Sequence, residues 1–98
     1  MIKIANIKKK EFYDLYIGRE NKWLGLEGSK WGNPFVMKNE SKREEVLAKY
    51  KEHILNSPEL LNSLSELKGK TLGCYCAPKK CHGNVLIELY NEFVNGND

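Results

Sequence analysis

A chain of 98 residues, 41% hydrophobic and 30% charged, has room for one domain, spanning residues 1–98, with one modest core, and this balance excludes intrinsic disorder. No apolar run approaches the ~20 residues that cross a bilayer, and Met1-Ile2-Lys3-Ile4 lacks the apolar stretch of a secretory signal, so a cytoplasmic protein without membrane contact is expected. The formal charge of +3 is too mild for a nucleic-acid footprint by charge alone: a small anionic partner fits better, and nucleic acid is the disfavoured alternative.

Ile2, Ile4 and Ile7 with intervening lysines predict a short first strand, which Lys8 to Lys10 ends as a polar turn. Phe12 to Ile17, rich in aromatic and branched residues, predicts a second strand stopped by Gly18. The stretch from Arg19 to Phe35 is punctuated by Gly25, Gly28, Gly32 and Pro34, and long loops of this kind in small domains tend to carry function. Ser41 and Glu44 read as a capping box that opens a helix to about Asn56, with Val46, Leu47, Tyr50, Ile54 and Leu55 at helical spacing. His53 falls on its polar side. Ser57-Pro58 starts a second helix, whose stripe of Leu60, Leu61, Leu64 and Leu67 ends at Gly69. Lys70 to Cys76 predicts a strand, Pro78-Lys79-Lys80 a turn, and His82 onward a helix with Val85, Leu86, Leu89, Tyr90 and Phe93 on one face. Asn95 to Asp98 is expected to fray. The fold class is therefore α/β, a single layer of three or four strands with three helices packed on it. Parallel strands would place the ligand site at the strand-to-helix junctions.

The segment Cys74-Tyr75-Cys76-Ala77-Pro78-Lys79-Lys80-Cys81-His82-Gly83 carries the most chemistry. Three cysteines within eight positions make a poor disulfide framework for an intracellular chain. One reading is an anion cradle, in which the free amides at the start of the last helix, Gly83, Lys79 and Lys80 and the imidazole of His82 surround a ligand. A second is a zinc site of Cys74, Cys76, Cys81 and His82, although Cys-x2-Cys knuckles are absent and neighbouring Cys81 and His82 would point apart. A third makes Cys81 a nucleophile or His82 a general base. Against all three, Cys74 in particular suits a small buried strand residue. In the glycine-rich loop, Gly18-Arg19 offers a guanidinium fork for phosphate or carboxylate. Trp31 and Phe35 could stack on a base with Asn33 reading its edge, or could simply fill the core.

Tyr16-Ile17-Gly18-Arg19, Ser29-Lys30-Trp31-Gly32-Asn33-Pro34-Phe35, Arg43-Glu44-Glu45-Val46 with Tyr50, Leu67-Lys68-Gly69-Lys70, Cys74-Tyr75-Cys76-Ala77-Pro78 and Cys81-His82-Gly83-Asn84-Val85-Leu86 together resemble the family catalogued as domain of unknown function 4326, common in phages and bacteria. Two departures stand out: Glu20 to Gly28 is inserted where that family often runs on directly, offering a lid or a subunit contact, and Asn84 stands where Asp is usual. The Cys-His segment is also similar to domain of unknown function 488. These resemblances imply a site at the strand–helix junction and name no reaction.

The expectation is a small soluble protein, without cofactor, that sequesters a nucleotide-derived anion through Gly18, Arg19, Trp31, Asn33, Cys76, Lys79, Cys81, His82, Gly83 and Asn84. Its concrete form, drawn from the phage resemblance, is a counter-defence sponge for a cyclic nucleotide or ADP-ribose-type immune signal in the host cytoplasm, and a homo-oligomer could complete the pocket. The absence of a clear acid/base carboxylate pair weighs against turnover. The alternatives are an enzyme using Cys81 or His82 on a nucleotide or nucleoside, and a zinc-bearing interaction module.

Overall fold

The computed structural model describes residues 2–22, 25–35, 39–75 and 81–94. Three strands, β1 (Lys3–Asn6), β2 (Leu15–Tyr16) and β3 (Thr71–Cys74), and three helices, α1 (Arg43–Leu55), α2 (Pro58–Ser63) and α3 (His82–Phe93), make an α/β fold. The sheet order is β1-β3-β2, and β3 pairs parallel with both neighbours. Ile4 and Leu15 both lie opposite Leu72, so one central residue sets both registers.

Side chains alternate across β3. Leu72 and Cys74 face the helices, where they are 0% and 2% exposed. Gly73 faces the other way, toward the Tyr13 ring; a Cβ there would come within 2.7 Å of it. The core gathers Ile17, Leu72 and Cys74 from the sheet side with Leu47, Tyr50, Ile54, Leu64, Leu67, Leu86 and Leu89 from the helical side. This stripe matches the predicted helical spacing except at the ends: Leu55 and Phe93 are exposed, because each closes its helix.

Several predicted elements are shorter than expected. The second strand holds only Leu15 and Tyr16, and Phe12 is 78% exposed. As an edge strand it needs only the rungs that reach β3, and Asp14 N–H to the Thr71 carbonyl is the first of these. The third strand stops at Cys74. The expected capping box at Ser41 and Glu44 does not form: a 3₁₀ turn (Glu40–Lys42) precedes α1, and Ser41 Oγ bonds Asn39 Oδ1 instead. The second helix loosens into a 3₁₀ turn at Leu64–Leu67, and Gly69 then ends it in the left-handed region, φ 70°. Ser57 fills the N-cap position, yet its hydroxyl donates to the His53 carbonyl rather than capping α2. His53 is half-buried, beside the Phe35 and Tyr50 rings, rather than solvated. The tail 95–98 lies outside the described residues.

Trp31 is 1% exposed. Its indole Nε1 donates to Glu66 at 3.2 Å, and its carbonyl accepts from the Tyr50 hydroxyl at 2.6 Å. Burial pushes the Tyr50 phenol far above its ordinary value, with the neighbouring Cys81 sulfur adding to the shift, so it remains a donor. The glycine-rich loop is thus tied to α1 from within the core. Replacing Tyr50 by Phe strands a buried carbonyl, and urea denaturation of Tyr50→Phe is expected to show a loss of about 1–3 kcal/mol. An unchanged midpoint would mean that the tie contributes nothing.

Candidate functional site

A cavity of about 280 Å³ opens at the carboxyl ends of β2 and β3, the place where parallel sheets hold ligands. Its floor is apolar or weakly polar: Val46 and Leu47 from α1, Cys74 from β3 and Cys81 from the start of α3. Polar groups stand around it, among them Arg19, Glu20, Asn21, Asn33, Arg43, Tyr75 and His82.

His82 is positioned from two sides. Its Nε2 lies 2.7 Å from the Ile17 carbonyl, which can only accept, so Nε2 carries the proton and Nδ1 holds the lone pair. Nδ1 has no protein partner among the described residues. Burial lowers the pKa of His82 below the usual imidazole value; the Ile17 carbonyl opposes the shift and the Arg19 charge reinforces it. The ring also meets Tyr50 edge-on, with centroids 5.1 Å apart. His82 therefore lines the cavity as a ring held toward its neutral form.

Asn33 forms an Asx turn, its Oδ1 accepting from Phe35 N–H at 2.9 Å. That leaves the Nδ2 donors for the cavity. The exposed Arg19 guanidinium has no ion pair or hydrogen bond among the described residues, whereas Arg43 is held by Glu40 through two bonds of 2.9 Å. Tyr16 turns back over Gly18 and donates its hydroxyl to the Arg19 carbonyl at 2.5 Å. A Cβ at residue 18 would collide with that phenol, 2.3 Å away, so glycine is needed for this close approach. Burial, reinforced by the contact with Tyr75, raises the Tyr16 pKa well beyond its ordinary value.

Of the expected ligand residues, Gly18, Arg19, Asn33, Cys81 and His82 come together at the cavity. Three others do not line it. Trp31 belongs to the core and cannot stack on a ligand. Gly83 does permit a close approach, but toward the sheet: a Cβ there would sit 3.1 Å from both Ile17 and Ile4. Asn84 is used in a capping box, its Oδ1 accepting from Cys81 N–H at 2.8 Å while Cys81 Sγ accepts from the Asn84 amide; an Asp at this position could accept the same bond. Cys76 and Lys79 lie outside the described residues. For the zinc reading, Cys74 and Cys81 are in contact, while no group of three His, Cys, Asp or Glu side chains is arranged for a metal among the described residues.

Sequence reasoning missed Tyr16, Glu20, Asn21, Arg43, Val46, Leu47 and Tyr75 as cavity residues. Tyr75 falls inside the predicted strand Lys70 to Cys76, and only the end of β3 at Cys74 puts it at the cavity. Glu20 and Asn21 come from the inserted stretch, which the structure makes an antiparallel excursion: Asn21 and Leu26 exchange two backbone bonds of 2.9 Å, and Ser29 N–H returns to the Gly18 carbonyl at 3.0 Å. The insertion leaves and rejoins the loop at one point and adds a wall to the cavity.

Because His82 is held neutral in the fold, the native state binds fewer protons than the unfolded chain between the depressed pKa and about 6.5, and stability rises with pH across that window. The contribution is complete above about pH 6.5 and fades as the pH falls toward the folded-state pKa. Thermal melts from about pH 8 to about pH 5 should show a steeper acid-side decline for wild type than for His82→Gln. Parallel profiles would remove the titration from His82.

The chain matches the domain of unknown function family DUF4326 over residues 2–92. It is 42% identical over 87 residues to the uncharacterised protein R718 of Acanthamoeba polyphaga mimivirus, a match covering 79% of this chain and 66% of that protein. It is 35% identical over 68 residues to an uncharacterised 12.4 kDa protein of the nrdA-td intergenic region of phage T4, covering 65% of this chain and 62% of that protein. The chain thus spans just under two thirds of the length of these curated relatives. No solved structure matches it. With the family match running through nearly all of the sequence, the chain belongs to the DUF4326 family.

Proposed function

We propose that this protein binds one small anionic ligand of the nucleotide class in the cavity at the ends of β2 and β3. The observation that carries the reading is the convergence, over an apolar floor, of an Arg19 guanidinium without a protein partner among the described residues, the Asn33 amide and the His82 lone pair. The guanidinium suits a phosphate, the apolar floor and Phe35 a base or sugar face, and the amide and imidazole its polar edges. The similarity of the Cys-His segment to domain of unknown function 488 points to the same junction. Small-molecule sites run from roughly 300 to 1,000 Å³, so about 280 Å³ suits a mononucleotide-sized group, and a cyclic oligonucleotide would extend beyond the cavity. Viral relatives make sequestration of a host nucleotide signal the specific form of this reading, with affinity rather than turnover as the requirement.

A second reading, turnover, is favoured by one feature: the Nδ1 of a neutral, hydrogen-bonded His82 has the geometry of a general base. Cys81, at 2% exposure and engaged in the helix cap, is poorly placed as the attacking group on such a ligand.

Native mass spectrometry with mononucleotides, cyclic dinucleotides and ADP-ribose derivatives tests both. Retention of an intact nucleotide is expected, and Arg19→Ala or Asn33→Ala should each weaken it by about 5–30-fold with an unchanged circular dichroism spectrum. Failure to retain any nucleotide would end the proposal, and release of a chemically altered one would replace it with the enzyme.

A further inference from the structure

We infer that Cys74 and Cys81 form a reversible dithiol–disulfide centre whose oxidant is a small peroxide. The two sulfurs lie 3.4 Å apart and both side chains are thiols. Cys74 is the last residue of β3 and Cys81 the N-cap of α3, so a bond between them would join the strand end directly to the helix start. Each residue is 2% exposed, and both line the cavity floor. Lining the cavity gives the pair a route for an oxidant of a few atoms and, more slowly, for a small dithiol. Simple packing of two small side chains would not require the sulfurs to face each other across two elements that are seven residues apart in the chain.

The chemistry balances with hydrogen peroxide alone. Cys81, at the amino end of a helix and receiving the Asn84 backbone amide, releases its proton and attacks as the thiolate; the O–O bond breaks, one oxygen stays on sulfur as a sulfenic acid, and the other leaves as hydroxide, which takes up that proton to become water. Cys74 then attacks that sulfur, the S–S bond forms and the sulfenic oxygen departs as a second water. A dithiol donor reverses the step. Closing the sulfurs from 3.4 Å to a bond of about 2.05 Å draws the start of α3 toward β3. His82 follows Cys81 directly, so the oxidation state is coupled to the residue that presents the cavity's acceptor. Intracellular disulfides are commonly transient and redox-sensing, which fits a centre of this kind.

The test uses the whole protein, treated with hydrogen peroxide, alkylated, digested with trypsin and mapped by mass spectrometry. The expected product is a monomer two hydrogens lighter, with peptide 71–79 joined to peptide 81–98 through Cys74, and restored by dithiothreitol. Because Cys76 shares the first peptide, the same crosslink must also appear in Cys76→Ser. Loss of the link in Cys76→Ser, alkylation of Cys74 after oxidation, or links only between chains would each overturn the assignment. This result is independent of whether any nucleotide binds.

Discussion

The hydrogen bond from His82 Nε2 to the Ile17 carbonyl, 2.7 Å long, joins the end of an edge strand to the first residue of the last helix. Neither element is strong alone. The edge strand has two residues, and the last helix begins after a strand that stops eight positions earlier. Each therefore takes its position from the other and from Leu72, which lies opposite residues of both outer strands. With this junction in place the strand ends, the glycine-rich loop and the helix start enclose one cavity. The bond also selects the imidazole tautomer, so a structural contact and the polarity of the site are set by the same proton.

The glycine-rich loop is organised from inside. Trp31 holds it by a buried ring, a bond to Glu66 and a carbonyl capped by Tyr50, and this frees Asn33, two residues on, to turn toward the cavity. The stretch from Glu20 to Gly28 hangs on the same frame: Ser29 N–H returns to the Gly18 carbonyl, and Gly28 packs against Glu20.

The two cysteines and the capping box place a pair of touching sulfurs on the floor of the cavity. A Ser or Thr at the N-cap would satisfy the Asn84 amide at least as well as a thiol does. Here the cap is a sulfur in contact with a second sulfur, which ties helix geometry to thiol state.

Amino-acid pattern alone determined the α/β class, the three helices, the leucine stripes and the strand–loop–helix junction that bears Arg19, Cys81 and His82. These follow from periodicities and stop signals within a few residues. It did not show that Trp31 and Gly83 pack away from the cavity, because burial depends on neighbours far along the chain: Tyr50 and Glu66 for the indole, Ile4 and Ile17 for the glycine. Nor did it show that the Asn84 side-chain oxygen is taken up by the helix cap. Tertiary structure alone decided that Val46, Leu47, Tyr75 and Asn21 share a cavity, that Cys74 faces Cys81 and that burial favours the neutral form of His82, with Nε2 on the Ile17 carbonyl. All of these are properties of distance between elements, fixed by the register of a three-stranded parallel sheet rather than by any local spacing.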